Sequence, residues 1–206
     1  MRFGIDFDNT LVCYDDILFE IASQRCLVPA DCAANKKAIR DRVRGTINGE
    51  LEWQRLQAEI YGPAMSNAVV MPGALEFLRQ CRRRGIGVRI ISHKTPHAAA
   101  DPSGADLREA AFEWLVVNRL VNGDEFGLST ADVHFESSRR DKIGRIQACG
   151  CTHFIDDLEE TFSESAFPSS VQAILFDPHR QYSPPPGTTR VTNWNEIGDI
   201  YFDDCD

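Results

Sequence analysis

Short apolar runs that end in polar residues recur along the chain and alternate with segments of helical periodicity. The first run is RFGIDF at residues 2–7, and the second is GVRIIS at 87–92. Three later runs have the same character, namely ADVHFES, THFIDD and VQAILFDP. Apolar runs of this length, rich in β-branched and aromatic residues, are typical of buried strands. We therefore predict five strands.

The segments between these runs have apolar residues at helical spacing. From residue 15 to 61 the periodicity is nearly continuous, with Pro29 near a helix start and glycines where helices would stop. A small helical insertion is expected there. Four further helices are predicted, and a short amphipathic segment surrounds Trp194. These helices are PGALEFLRQCRRRG, residues 105–121, SSRRDKIGRIQACG with a serine at its start, and LEETFSESA.

Alternating strands and helices predict an α/β fold with a mainly parallel sheet and right-handed crossovers. The chain of 206 residues is long enough for one such domain with a modest insertion. Ligands bind such sheets beyond the carboxyl ends of the strands. Three predicted strands end in acids or a serine, so these ends are expected to face one crevice. The residues concerned are Asp6, Asp8, Ser92, Asp156 and Asp157.

Composition and charge restrict the classes of function. The formal net charge of −9 disfavours a surface that grips nucleic-acid phosphates nonspecifically. Acids within the first eight residues leave no apolar stretch for a signal peptide or membrane anchor. We therefore expect a cytoplasmic protein with no membrane partner. The seven cysteines are expected to be reduced thiols. Cys149 and Cys151 have no second pair at zinc-site spacing, so we expect them to be buried and inert.

The segment DFDNT at residues 6–10 carries the strongest chemical signal. Asp6 and Asp8 are two residues apart, so on a continuing strand both side chains point to one side while Phe7 points into the core. Two carboxylates on one side repel each other unless a cation joins them. Magnesium typically takes one or two carboxylates together with a substrate phosphate. The segment IDD at 155–157 offers the acids that would complete such a site.

Four short motifs resemble, in order, those of the haloacid dehalogenase superfamily of hydrolases. They are DFDNT after an apolar strand, Ser92 at the end of GVRIIS, Lys142 in RRDKIGR, and IDD followed by Glu160. The first motif is the specific one, because a lone serine or lysine is a weak signal. Together the motifs cover the chain from its start to about residue 162.

The resemblance implies an architecture as well as a chemistry. It implies a Rossmann-like core with strand order 5-4-1-2-3 and a small helical cap inserted after the first motif. The catalytic core would then comprise residues 1–14 and 71–206, and the cap would comprise residues 15–70.

The same resemblance implies roles for the acids. Asp6 would be the nucleophile that forms an aspartyl-phosphate, and Asp8 would be the general acid and base. Mg²⁺ would be bound by Asp6, by Asp8 through its backbone carbonyl, and by Asp156. Asp157 or Glu160 would assist.

Polar side chains around the nucleophile would bind the phosphate. The candidates are Asn9, Thr10, Ser92, His93, Lys94 and Lys142. By the resemblance, Thr10 and Ser92 hold phosphate oxygens, and Lys142 offsets the negative charge around Asp6. Lys94 directly follows the Ser92 strand, so either lysine could reach the phosphate. We favour Lys142, which has the family's position before the last acidic motif.

Other polar residues have a weaker claim to the site. His97, in the loop after Ser92, would contact substrate or simply occupy a polar loop. Lys36, Arg40 and Arg44 share one helix face that could meet an anionic substrate if the cap closes. We favour a solvated face.

The expected activity is Mg²⁺-dependent hydrolysis of a phosphomonoester on a small metabolite, such as a sugar phosphate or a nucleotide. Asp8 disfavours dehalogenation, because the family's carbon–halogen hydrolases lack an acid at this position. The alternatives are a noncatalytic phosphate- and metal-binding module, a phosphoacceptor, and a polynucleotide-end phosphatase. The last is disfavoured by the net charge of −9. The sequence leaves the oligomeric state open.

Overall fold

The computed structural model describes residues 1–101 and 103–202, and Cys205 lies outside them. The chain forms two compact units. The sheet unit comprises Met1–Val12, Val70–Lys94 and the chain from Asn118 onwards. The helical unit comprises Cys13–Val69 and Thr95–Val117.

A six-stranded parallel sheet forms the centre of the sheet unit. The strands of the described residues are β1 (Arg2–Ile5), β2 (Val12–Cys13), β3 (Val69–Val70), β4 (Gly87–His93), β5 (Val133–Glu136), β6 (His153–Asp156), β7 (Gln172–Phe176) and β8 (Thr189–Val191). The sheet order is β5-β4-β1-β6-β7-β8, and β2 pairs with β3 separately. Every neighbouring pair in the large sheet is parallel. The predicted α/β fold and the order 5-4-1-2-3 are therefore confirmed for the five predicted strands.

Helices cover both faces of this sheet, so its strands are apolar on both sides. The helices of the described residues are α1 (Asp15–Gln24), α2 (Lys36–Arg44), α3 (Gly49–Tyr61), α4 (Ala74–Arg83), α5 (Leu107–Val117), α6 (Arg139–Ala148), α7 (Glu159–Ser163) and α8 (Trp194–Phe202). On one face the ring of Phe3 meets Phe77 of α4 at 5.1 Å and Phe202 of α8 at 6.2 Å. On the other face Phe154 packs with Ile146 of α6. No helix among the described residues has the length and apolar character needed to cross a membrane.

The helical unit contains a segment that the sequence placed in the core. The predicted cap was residues 15–70, but residues 95–117 pack with it. The reason is α5, whose buried Trp114 donates its indole N–H to the carbonyl of Ala68 at 2.9 Å. A helical pattern in sequence gives the apolar face of α5 but does not say which core that face covers.

Several element bounds differ from the predicted ones. The helix α2 begins only at Lys36, because the side chain of Asn35 accepts the backbone N–H of Ala38 at 2.9 Å and caps the helix there. The predicted helix LEETFSESA ends after one turn at Ser163. The short edge strand β8 was not predicted, since three residues beside a proline-rich segment carry little pattern. The serine predicted at the start of α6 is confirmed, as Ser138 accepts the N–H of Asp141.

A pair of glycine substitutions tests the packing of β1. A Cβ on Gly4 would lie 2.5 Å from Cδ2 of Phe154 and 3.0 Å from Sγ of Cys151. Gly4→Ala is therefore expected to lower the free energy of unfolding by about 2 kcal/mol. A Cβ on Gly144, inside α6, would have no atom within 4 Å. Gly144→Ala is therefore expected to raise the free energy of unfolding by about 0.5–1 kcal/mol. Chemical denaturation measures both. A Gly4→Ala protein as stable as wild type would contradict this packing.

Candidate active site

The site lies in the sheet unit, where three neighbouring parallel strands end. Strand β1 lies between β4 and β6. The backbone N–H of Asp6 donates to the carbonyl of Ile155 at 2.8 Å, so the ladder continues into the acidic segments. Adjacent carboxyl ends bring the side chains that follow them together. The convergence expected from the sequence is therefore observed for Asp6, Ser92 and Asp156.

Three buried carboxylates form the centre of the site. Asp6, Asp156 and Asp157 each offer an oxygen, and these oxygens lie within 4.8 Å of one another. Oxygen ligands in this arrangement suit a hard divalent cation such as Mg²⁺. The carboxylate of Asp8 is not in this group, and Glu160 is exposed to solvent and also outside it. Of the two assisting acids expected from the sequence, Asp157 belongs to the cluster.

Lys142 neutralises part of this charge. Its Nζ donates to Oδ1 of Asp6 at 2.6 Å and to Oδ2 of Asp156 at 2.7 Å, and its side chain is only 2% exposed. Burial by itself would lower the pKa of Lys142, but the charges of Asp156 and Asp6 outweigh this and raise it. The lysine therefore stays an ammonium inside the site.

The pKa of Asp6 is raised to about 7. Burial is the largest cause; the charge of Lys142 opposes it, and the nearby acids Asp156, Asp157 and Asp8 add to it. Ser92 donates its hydroxyl to the same oxygen that Lys142 contacts, Oδ1, at 2.9 Å. One ammonium thus does not fully compensate this group of acids, which favours the binding of an additional cation.

Asp8 has a lysine of its own. Lys94 is 4% exposed, and its Nζ lies 3.0 Å from Oδ2 and 3.1 Å from Oδ1 of Asp8. The backbone N–H of Lys94 donates to the carbonyl of Glu136 at 2.8 Å, which fixes the chain just beyond β4. From the sequence, either Lys94 or Lys142 could reach the phosphate. In the structure both lysines are buried in the site, and they contact different acids.

The turn after β1 leaves buried polar atoms without partners. Asn9 has a left-handed backbone with φ of 61°, and the carbonyl of Thr10 accepts the indole N–H of Trp194 at 3.2 Å. Among the described residues, Oγ1 of Thr10 and Nδ2 of Asn9 are buried and have no hydrogen-bond partner. Buried polar groups are usually satisfied, so these two atoms have the capacity to bind a ligand oxygen.

The other candidates have contacts of their own. His93 is exposed, its Nε2 lies 3.2 Å from the carbonyl of Ser137, and partial burial lowers its pKa. His97 belongs to the helical unit and contacts the carbonyl of Ala105 through Nδ1 at 3.1 Å. The helical unit also holds Arg40 and Arg44, whose charges are paired with acids of their own unit.

One buried acid at this edge of the sheet was not singled out from the sequence. Asp177 follows β7, and its carboxylate accepts the backbone N–H groups of Gln181 at 2.9 Å and Tyr182 at 3.1 Å. The sequence carries a signal for it, because the apolar run VQAILF is followed directly by an acid, as RFGI is. Its hydrogen bonds fix the following loop, which gives Asp177 a structural role.

Comparison by sequence identifies no relatives. No family model matches the chain, and no curated protein matches it.

Solved structures match over nearly the whole chain. A dehalogenase is 14% identical over 97% of this chain and 96% of its own, with a TM-score of 0.57. A HAD family hydrolase from Deinococcus radiodurans R1, with bound phosphate and sodium, is 14% identical over 97% of this chain and 93% of its own, with a TM-score of 0.56. The putative HAD-hydrolase YfnB from Bacillus subtilis, bound to magnesium, is 12% identical over 98% of each chain, with a TM-score of 0.56. At these identities the likeness concerns the fold, and this chain has the fold of the haloacid dehalogenase superfamily hydrolases.

The Lys142 ion pairs give a stability prediction. Lys142→Met leaves Asp6 and Asp156 buried without their cation, so the free energy of unfolding at pH 8 is expected to fall by about 3 kcal/mol. Added Mg²⁺ is expected to restore part of this loss, because it offsets the same carboxylates.

Lys37→Met is the matched control for this measurement. Lys37 also pairs with an aspartate, Asp41, at 3.0 Å, but it is exposed. Its loss is expected to change stability by less than about 0.5 kcal/mol with or without Mg²⁺. Equal effects of the two substitutions in urea denaturation would show that the buried pairs contribute no more than a surface pair.

Proposed function

We propose that this protein is a Mg²⁺-dependent phosphomonoester hydrolase of the haloacid dehalogenase superfamily, with Asp6 as the nucleophile. The observation that carries the proposal is that Asp6 and Asp8, two residues apart, each contact a different buried lysine. Lys142 lies 2.6 Å from Asp6, and Lys94 lies 3.0 Å from Asp8. Phosphoryl transfer depends mainly on positioned oxygens and on neutralised charge, and this arrangement supports both.

The two half-reactions use the two acids differently. In the first, an Asp6 oxygen attacks phosphorus, the bond from phosphorus to the ester oxygen breaks, and protonated Asp8 gives its proton to the departing oxygen. In the second, the Asp8 carboxylate takes a proton from water as the water oxygen attacks the phosphorus of the aspartyl-phosphate. Asp6 then departs as a carboxylate, inorganic phosphate is released, and Asp8 is again protonated.

The hydrogen bonds to Asp6 support a particular attacking atom. Ser92 and Lys142 both contact Oδ1, which leaves Oδ2 as the oxygen that we assign to attack on phosphorus. Holding one oxygen fixes the orientation of the carboxylate plane, and orientation of reacting groups is a large part of catalysis.

Phosphate oxygens would be bound by the turn after β1. The hydroxyl of Thr10 and the amide of Asn9 are buried donors without partners among the described residues. A donor of this kind gains a full hydrogen bond when a phosphate oxygen arrives, and hydrogen bonds to charged groups are strong. The orphaned Thr10 hydroxyl therefore supports the assignment of this turn to phosphate binding.

The donor set also fits Mg²⁺. The residues that would hold the ion are Asp6, Asp156 and Asp157, whose oxygens lie within 4.8 Å of one another. When bound, Mg²⁺ supplies positive charge that offsets the negative charge of the phosphoryl oxygens. Asp157 is preferred over Glu160 because Glu160 is exposed.

The substrate would be a small phosphorylated metabolite, such as a sugar phosphate or a nucleotide. Dehalogenation is a competing reaction for this fold, because one of the similar structures is a dehalogenase. Breaking a carbon–halogen bond needs no proton for the departing halide, so it gives Asp8 no role as an acid. The buried contact of Asp8 with Lys94 therefore favours ester hydrolysis.

A panel of phosphate esters tests the proposal. Wild type is expected to release phosphate from at least one ester with Mg²⁺ and to lose this activity when EDTA removes the ion. Asp6→Asn is expected to abolish turnover because it removes the nucleophile. Asp8→Asn is expected to lower kcat/KM for alkyl esters by about 10²–10⁴-fold.

The panel includes sugar phosphates, nucleotides, a 5′-phosphorylated oligonucleotide and a 2-haloacid. Full activity of Asp6→Asn would refute the nucleophile. Halide release without phosphate release would identify a dehalogenase, and a stable phosphorylated Asp6 without turnover would identify a phosphoacceptor.

Thr10→Val separates binding from stability. Loss of one hydrogen bond to a charged phosphate is expected to lower kcat/KM by about 10–100-fold. Stability is expected to stay unchanged or to rise by about 1 kcal/mol, because the buried hydroxyl has no partner to lose.

Thr161→Val is the matched control. Thr161 in α7 is also buried, and its Oγ1 lacks a partner among the described residues. Since Thr161 is not among the proposed catalytic or binding residues, the Thr161→Val enzyme is expected to be as active as wild type. Thermal unfolding and steady-state kinetics give both quantities. A Thr10→Val enzyme with wild-type kcat/KM would remove Thr10 from phosphate binding.

A further inference from the structure

Among the residues that the structure describes, the site contains two buried cations, and the proposed reaction steps give a role to neither Lys94 nor its contact with Asp8. Lys142 contacts Asp6 and Asp156, and it offsets part of the charge around the nucleophile. The ammonium of Lys94 meets both oxygens of Asp8 at 3.0 and 3.1 Å. Burying a second ammonium is unfavourable unless its partner repays the lost hydration. The contact with Asp8 therefore calls for an explanation of its own.

The position of Lys94 is set at the ends of two neighbouring parallel strands. Lys94 lies one residue beyond β4, and Asp8 lies three residues beyond β1. Ser92 and Lys94 are two residues apart at the end of β4, and Asp6 and Asp8 are two residues apart at the end of β1. Ser92 contacts Asp6, and Lys94 contacts Asp8. Each residue of one pair thus holds one acid of the other pair.

The ammonium is held firmly against Asp8. The backbone N–H of Lys94 donates to the carbonyl of Glu136 at 2.8 Å, and its Nζ lies 5.5 Å from the centre of the Phe7 ring. Its side chain is 2% exposed, and that of Asp8 is 16% exposed. A cation that meets both oxygens of a carboxylate restricts rotation of the carboxylate about its last bond, which sets the direction in which each oxygen points.

We propose that Lys94 is a positioning residue for Asp8, and that it orients the carboxyl group toward the leaving oxygen of the ester. The two buried lysines then have different roles: Lys142 offsets the charge of the nucleophile Asp6, and Lys94 orients the acid Asp8. This inference rests on the proposed phosphatase function. It differs from the simpler alternative, in which Lys94 binds the phosphate directly.

The dependence of the rate on the leaving group distinguishes positioning of Asp8 from direct binding of the phosphate. An alkyl phosphate needs a proton on its departing oxygen, whereas p-nitrophenolate departs without one. If Lys94 acts through Asp8, Lys94→Met is expected to lower kcat/KM for an alkyl ester by about 30-fold or more and for p-nitrophenyl phosphate by less than about 3-fold. The inhibition constant of inorganic phosphate is expected to stay within about 3-fold of wild type.

Lys94→Arg is the conservative variant. Its guanidinium matches the two oxygens of a carboxylate, so it is expected to keep the wild-type ratio of kcat/KM for the two esters. If Lys94 had a purely structural role, the two variants would differ in stability but not in the ratio of kcat/KM for the two esters. Both variants are compared with wild type by thermal unfolding.

A double variant keeps the test decisive if Lys94→Met fails to fold. Lys94→Met with Asp8→Asn removes both charges together, so no uncompensated ion is left. If Lys94 acts through Asp8, the double variant is expected to match Asp8→Asn on the alkyl ester within about 3-fold. A further loss of the same size on both esters would overturn the inference.

The outcomes also separate this inference from the proposed function. Equal losses on both esters, with a raised inhibition constant for phosphate, would show that Lys94 binds the phosphate and would overturn the positioning role alone. A wild-type protein that hydrolyses neither ester would overturn the proposed function itself.

Discussion

The close packing of acids at the end of β1 is the constraint on which the rest of the site depends. Asp6, Asp156 and Asp157 are all buried, and such charges cost free energy unless cations or hydrogen bonds compensate them. Lys142 supplies one compensating charge at 2.6 and 2.7 Å. Lys142 belongs to α6, and Ile146 of this helix packs with Phe154 of the sheet. The core packing of α6 and the chemistry of the site are therefore parts of one arrangement.

The same edge of the sheet combines satisfied and unsatisfied polar groups. Ser92 and the two lysines have partners, whereas the hydroxyl of Thr10 has none among the described residues. A protein selected only for stability would fill or remove such a hydroxyl, because an unpaired buried group costs about 1–3 kcal/mol. Its retention is consistent with a ligand that supplies the missing partner. The unpaired hydroxyl would then lower the free energy of unfolding of the free protein and strengthen the binding of the ligand.

Strand geometry explains why so few residues create the site. Asp6 and Asp8 follow β1, and Ser92 and Lys94 lie at and just after the end of β4. Ser92 contacts Asp6, and Lys94 contacts Asp8. Two parallel strands with paired ends thus present four polar side chains in a fixed arrangement without any long loop. Rigid strand ends are better suited than loops to hold reacting groups within the tolerance that catalysis requires.

The parallel sheet and the convergence of Asp6, Ser92 and Asp156 could be predicted from local patterns and from the rules of parallel sheets. The order of the five predicted strands was implied by the resemblance of the four motifs to a known family. The division between Lys94 and Lys142 could not be read from it, since two lysines near one strand edge look alike until distances separate their partners. The placement of α5 was also undetermined, because amphipathic spacing shows that a helix covers a core but not which one. The orphaned hydroxyl of Thr10 and the edge strand β8 likewise depend on contacts between residues far apart in sequence. Such contacts become visible in the folded chain alone, since a local pattern records which side chains are apolar or charged and not which of them meet.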